Sequence, residues 1–235
     1  MKTRLLGLTL LLLAILGTSN VNAKNETRKV ASFSEVSLRI SATVFIKQGN
    51  SQSVELTANN NILEDIITEV NDRKLVIRFP KRTFFKQNFK SGNIIINITV
   101  PEVDGLFVSG SGDIVAKGDV DTRILDLAVS GSGDINLADL KAERVKASIS
   151  GSGDIVIKEG GIADELSISI SGSGDVNTYG FEAKNVSVKT AGSGDASVHA
   201  IDNLKVSIAG SGNVYHTGTA AVDAKVAGSG NVRKK

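Results

Sequence analysis

Five aspartates fall at near-regular intervals in the second half of the chain: Asp113, Asp134, Asp154, Asp175 and Asp195. If their segments stack as neighbouring strands, the carboxylates line one edge roughly 4.8 Å apart. Adjacent pairs then repel by about 1 kcal/mol even in water, so something must relieve the charge. One reading is a calcium ladder, as in Gly- and Asp-rich β-rolls. The other is structural: each carboxylate accepts N–H bonds of its own turn, with nearby lysines screening the charge. Asn213 and Asn231 occupy the next two equivalent positions. They keep the capping acceptor and drop the charge, and the nine-residue β-roll period is absent, so the structural reading is favoured and no cofactor is expected.

Other reactive types are sparse. His199 and His216 fall a few residues after consecutive aspartate or asparagine positions. A third ligand for a metal is not evident, so both are expected to be polar outer-face residues. Ser111, Ser132 and their equivalents recur in every unit, and repetition accounts for them without a triad. Glu143, Glu159, Glu165 and Glu182 lie outside the repeat register and are scattered. A carbohydrate-active enzyme would need convergent acids and aromatic platforms, yet aromatics make up 4% of the chain. Catalysis is therefore not expected, and such an enzyme on a β-helix scaffold is the alternative. Lys81-Arg82-Thr83-Phe84-Phe85-Lys86-Gln87-Asn88-Phe89-Lys90 forms a basic, aromatic stretch. Lys81, Arg82, Phe84, Phe85 and Phe89 are candidates for partner contact with a glycan, protein or lipid headgroup, although a role in covering the end of the fold is preferred.

The elements that position these residues are written as a repeat. Gly-Ser-Gly begins at Gly110, Gly131, Gly151, Gly172, Gly192, Gly210 and Gly228, at intervals of 18 to 21 residues. Two and four residues earlier sit apolar or small residues such as Val108 and Leu106, or Ile170 and Ile168. Ile114, Ile135, Ile155, Val176, Ala196, Val214 and Val232 follow each turn. Spacing by two places these side chains on one strand face. A single strand–turn–strand unit cannot bury that face, whereas stacked units share a continuous core. The expected fold is all-β: a single-stranded parallel β-helix of about seven coils, right-handed by the general chirality of parallel crossovers. Ser109, Ser130, Ser150, Ser171, Ala191, Ala209 and Ala227 are read as small residues fitting inside the corner.

Residues 24–100 lack the triplet but alternate in strands near Val36–Ile40, Thr43–Lys47, Ser53–Thr57, Lys74–Phe79 and Asn93–Val100. Turns are marked by Gly49-Asn50 and Asn71-Asp72, and Ile62 to Val70 admits a short helix before a strand. This region is expected to form irregular first coils or a cap, continuous with 101–235, because an open solenoid end exposes strand edges. At the far end Arg233, Lys234 and Lys235 either discourage edge pairing or leave an end that docks against a second copy.

The first residues bound the compartment. Lys2 and Arg4 precede an apolar Leu5–Leu16, and Val21-Asn22-Ala23 offers small residues for cleavage, so residues 1–23 read as a signal peptide. The apolar run is too short to span a bilayer, and no cysteine is present for a lipid anchor or a disulfide. An exported protein that is not integral to the membrane is expected, whether periplasmic, surface-held or secreted. Without Lys2 and Arg4 the 27 basic residues become 25, equal to the 25 acidic ones, which removes any general attraction for nucleic acid.

Phe33-Ser34-Glu35-Val36, Val44-Phe45-Ile46-Lys47-Gln48-Gly49, Lys74-Leu75-Val76-Ile77 and the Ser-Gly-Ser-Gly-Asp repeats together resemble the putative auto-transporter adhesin family, head GIN domain. The resemblance implies a right-handed β-helix on an N-terminal β region and a periplasmic or surface setting. The functional expectation is a non-enzymatic, adhesin-like binding or structural module at the cell envelope, with a glycan or protein partner. The family supplies no catalytic or binding residues to transfer.

Overall fold

A computed structural model describes residues 23–80 and 93–235. The expected signal peptide therefore lies almost wholly outside the described residues. In chain order the first part supplies β1 (Ala23–Thr27), β2 (Glu35–Leu38), β3 (Thr43–Gln48), β4 (Ser53–Asn59), a short helix α1 (Asn60–Leu63), β5 (Ile67–Asn71), β6 (Lys74–Arg78) and β7 (Ile95–Val100). The repeats follow as β8 (Gly105–Gly110), β9 (Asp113–Gly131), β10 (Ile135–Gly151), β11 (Ile155–Gly160), β12 (Ile162–Gly172), β13 (Val176–Gly192), β14 (Ala196–Gly210), β15 (Val214–Thr217), β16 (Ala221–Gly228) and β17 (Val232–Lys234). All join one hydrogen-bonded sheet wound on itself as a parallel β-solenoid of about 6 turns.

Parallel register carries each triplet directly over the last. Gly131 pairs with Gly110 and with Gly151, and the column continues through Gly172, Gly192, Gly210 and Gly228. Strands before the corner form one wall of the solenoid and strands after it form another. Inward residues at each level fill a shared core, with Leu127, Ala147, Ile168, Val188 and Val206 all 0–1% exposed. One buried cluster runs from Phe33 to Val214.

The corner itself explains the glycines. Gly131 has φ of 131°, a backbone region that side chains disfavour, and its carbonyl accepts the N–H groups of Ser152 and Gly153 on the next coil at 2.8 and 3.2 Å. Gly133 has no such φ; it is excluded from bearing a side chain by distance. A Cβ there would lie 1.9 Å from the carbonyl oxygen of Gly112 on the preceding coil. The Ser109 to Ala227 column, expected to lie inside the corner, faces solvent instead. Its small size is not enforced by the corner, because the alternation that buries Val108 and Val129 turns its neighbours outward.

The first coil is β2–β3, with Arg39 to Ala42 turning the chain where later coils use the glycine triplet. The Asp113 N–H donates to the Ala42 carbonyl at 2.8 Å, stacking the second coil on this turn. The order is then broken. β6 and β7 lie parallel to β2 and β3 on the outer side, although they come later in sequence, while β8 and β9 cover the inner side. Antiparallel strands finish this end: β4 pairs with β7, β1 with β4, and β5 with β6 through a turn in which Asp72 and Arg73 take φ of 49° and 62°. The ambiguous 62–70 stretch resolves as α1 followed by β5.

Replacing Gly133 with alanine should cost about 3 kcal/mol or more, since only backbone movement can relieve the contact. Gly118, where a Cβ would meet nothing within 4 Å, should accept alanine within about 0.5 kcal/mol. Urea unfolding of the two variants beside the parent protein measures both.

Candidate functional site

The aspartate row is real and its hydrogen bonds run between coils. The Asp134 N–H donates to Asp113 Oδ1 at 3.0 Å, and Asp154, Asp175 and Asp195 donate to the preceding carboxylate at 2.8, 2.8 and 2.7 Å. Asn213 and Asn231 continue the series at 2.6 and 3.2 Å. This differs from a cap within one turn: the side chain reaches along the solenoid axis to the next lap. The main chain runs the other way, with the Ile114 N–H donating to the Asp134 carbonyl at 2.9 Å. Each charged acceptor contributes about 1.5–3 kcal/mol, against a repulsion of about 1 kcal/mol for neighbouring carboxylates in water. At the boundary the Asn213 amide also donates to Asp195 Oδ1, at 3.1 Å. Among the described residues, no three His, Asp or Glu side chains converge as a metal cluster.

The histidines do not meet. His199 and His216 lie on successive coils one register step apart, because Val198 pairs with His216 and His199 with Thr217. Consequently one side chain points out and the other in. His199 is half-buried on the outer face, its Nδ1 3.9 Å from Glu182 Oε1. His216, expected on the outer face, occupies a core position at 6% exposure, and its Nδ1 has no hydrogen-bond partner. Burial, and then the nearby Lys234 charge, push its pKa below the usual histidine value. The scattered acids stay apart in role: Glu159 pairs in register with Asp139, Glu165 with Arg144 and Asn185, and Glu182 with Ile162 and His199. Glu143 is exposed, and Ser111 and Ser132 are exposed at their corners. Lys81, Arg82, Phe84, Phe85 and Phe89 lie outside the described residues.

A feature the sequence did not single out lies on the outer wall near the first coils. Phe45, Lys47, Asn97, Thr99, Lys117 and Gly118 line an open depression of ≈ 360 Å³, floored by Ile46 and Ile98. Three adjacent strands, β7, β3 and β9, bring these residues side by side. Lys117 Nζ stands 3.7 Å from the centroid of the Phe45 ring. Gly118 contributes no side chain, which leaves the space open. Gln48 braces the rim: its amide donates to the Pro101 and Asp121 carbonyls, both at 2.9 Å, and its Oε1 accepts the Asp121 N–H at 2.7 Å. The signal was present in Phe45, Lys47 and Lys117, but only the out-of-order stacking of β7 places Asn97 and Thr99 beside them.

The parallel solenoid with its antiparallel cap defines a class of β-helix modules. The sequence from residue 32 to 220 matches the family described as putative auto-transporter adhesin, head GIN domain, and the chain belongs to it. A putative adhesin from Bacteroides fragilis NCTC 9343 shares the fold at TM-score 0.84 and 22% identity, over 91% of this chain and 97% of that one. A putative adhesin from Parabacteroides distasonis ATCC 8503 superposes at 0.71 with 28% identity, over 92% and 98%. A putative lipid binding protein from the same organism superposes at 0.74 with 23% identity, over 92% and 98%. No curated relative matches the sequence. The family supports an adhesin-like cell-envelope protein, and no described helix is long and apolar enough to cross a membrane.

Two variants test the site's scaffold. Asp134→Ala strands the part-buried N–H of Asp154 and should cost about 1–3 kcal/mol, whereas Asp134→Asn keeps an acceptor and should cost less than half of that. Thermal melts of both variants decide. For His216, a folded pKa below the unfolded one means protonation opposes folding: its stabilising contribution is present above the ordinary histidine pKa and is lost as pH falls below it. The parent should therefore lose more stability than His216→Val between about pH 7 and pH 5.

Proposed function

We propose that this chain is a non-enzymatic, adhesin-like module of the cell envelope that holds a glycan or protein partner on its outer wall. The observation that carries this reading is the depression around Phe45. It combines an apolar ring, two ammonium groups from Lys47 and Lys117, and the amide and hydroxyl of Asn97 and Thr99. Such a set suits a sugar bearing an acidic substituent: Lys47 and Lys117, the latter held over the phenylalanine ring, meet the acid, and the amide and hydroxyl take sugar hydroxyls. Lysine is a point charge on a flexible stem, so broad and weak recognition is expected. Oδ1 of each aspartate already serves the backbone ladder, and this reading invokes no calcium. The enzyme alternative lacks a specific observation, because the candidate acids take separate partners along the coils.

A glycan array with neutral and acidic oligosaccharides, run beside a turnover assay and repeated in a metal chelator, tests the proposal. Acidic glycans should be retained without cleavage and with chelator present. Lys47→Ala combined with Lys117→Ala should weaken retention about tenfold or more at an unchanged melting temperature. Cleavage of any retained glycan, or retention indifferent to both lysines, sinks it.

A further inference from the structure

The two ends of the solenoid are finished differently. Antiparallel strands cover the first coils, whereas β16 on the last described coil is exposed at all eight residues. Its inward side chains continue the core column without a lid. Val222 and Val226 are each 44% exposed, while their register partners Leu204 and Ile208 on β14 are 1% and 2% exposed. Backbone direction on this strand follows from earlier coils. The Asp126 N–H donates backward to Asp104, and the Gly131 carbonyl accepts forward from Ser152. Alternation then turns the N–H and C=O of Leu127 and Val129 toward the next coil. Register carries the Leu127 position through Ala147, Ile168, Val188 and Val206 to Ala224. Val222, Ala224 and Val226 thus aim their backbone donors and acceptors away from the solenoid.

The strand Ala221-Val222-Asp223-Ala224-Lys225-Val226-Ala227 is self-complementary when paired antiparallel about Ala224. Val222 then faces Val226 of the second copy on the inner side, and Asp223 faces Lys225 on the outer side, each contact occurring twice. Ala224 meets its own counterpart on the two-fold axis. The backbone groups that point outward are the ones this register uses. Shifting the centre by one residue to 223 or 225 sets Asp223 on Asp223 or Lys225 on Lys225. Parallel, in-register pairing does both at once. Among the described residues neither Asp223 nor Lys225 has an ion-pair partner, so both charges are free to be answered across the interface. Arg233 and Lys234 make β17 an edge guarded by charge, which leaves β16 as the pairing strand.

We infer that two copies join end to end through β16, about a two-fold axis at Ala224, to make one continuous sheet. This inference is independent of the depression at Phe45. Asp223 and Lys225 form reciprocal cross-strand pairs, and Val222 and Val226 are covered.

Sedimentation equilibrium of the purified protein should show a reversible dimer at about 100 µM, the range of a modest interface. Asp223→Lys and Lys225→Asp singly should each weaken dimerisation about tenfold or more, by setting like charges opposite one another. Mixing the two single variants should restore a heterodimer, since each then offers the charge the other lacks. The double variant should restore the homodimer. Melting temperatures of the exposed-residue variants, read at low concentration, check that all are folded. A protein that stays monomeric at that concentration overturns the proposal, and so does a dimer indifferent to the charge swaps or unrescued by mixing.

Discussion

The structure depends on one close approach: the second glycine of each corner lying against the carbonyl of its equivalent one coil earlier. At Gly133 the space available to a Cβ is 1.9 Å, far inside contact distance. Because the corner admits no side chain, successive laps can descend by one strand spacing without tilting apart. The first glycine adds a conformation that turns the chain and presents its carbonyl to the next coil. Everything else follows from this superposition, including the shared core, the parallel ladders and the aspartate row. A coil that missed its corner would lose its neighbours on both walls together.

The aspartate ladder answers a problem that the corner creates. Where the chain turns, the parallel ladder of backbone bonds is interrupted, and the N–H of the residue after the triplet needs an acceptor. The side chain of the preceding coil supplies it, while the same residue's carbonyl serves the backbone behind. Asparagine can fill that role without charge, as Asn213 does. The row is therefore part of the wall.

Much of the fold was legible because its signals are local and repeated. Seven triplets at near-constant spacing, with apolar residues four positions before each and, Thr190 apart, two positions before each, fix strand, face and stacking. The first half was legible as strands but not as an arrangement, since no periodicity says that β6 and β7 stack outside β2 and β3. The depression was hidden for that reason: Asn97 and Thr99 reach Phe45 only through the out-of-order packing. His216 escaped because its inward position is set by counting along the coil, against a residue type that favours the surface. The Ser109 column was misread because small size has two causes, confinement and indifference, which look alike in sequence.

The out-of-order cap also governs how the chain can assemble. A solenoid with sequential coils can grow from its leading end, each lap templated by the last. Here β2 and β3 precede their neighbours in sequence yet sit between β6 and β7 on one side and β8 and β9 on the other. Delivered from its N-terminus, the chain has no stable first lap until well over a third of its length is present. Contacts in the middle repeats join strands about 20 residues apart, whereas those of the cap close longer loops, as Leu38 does with Ile77 and Val108.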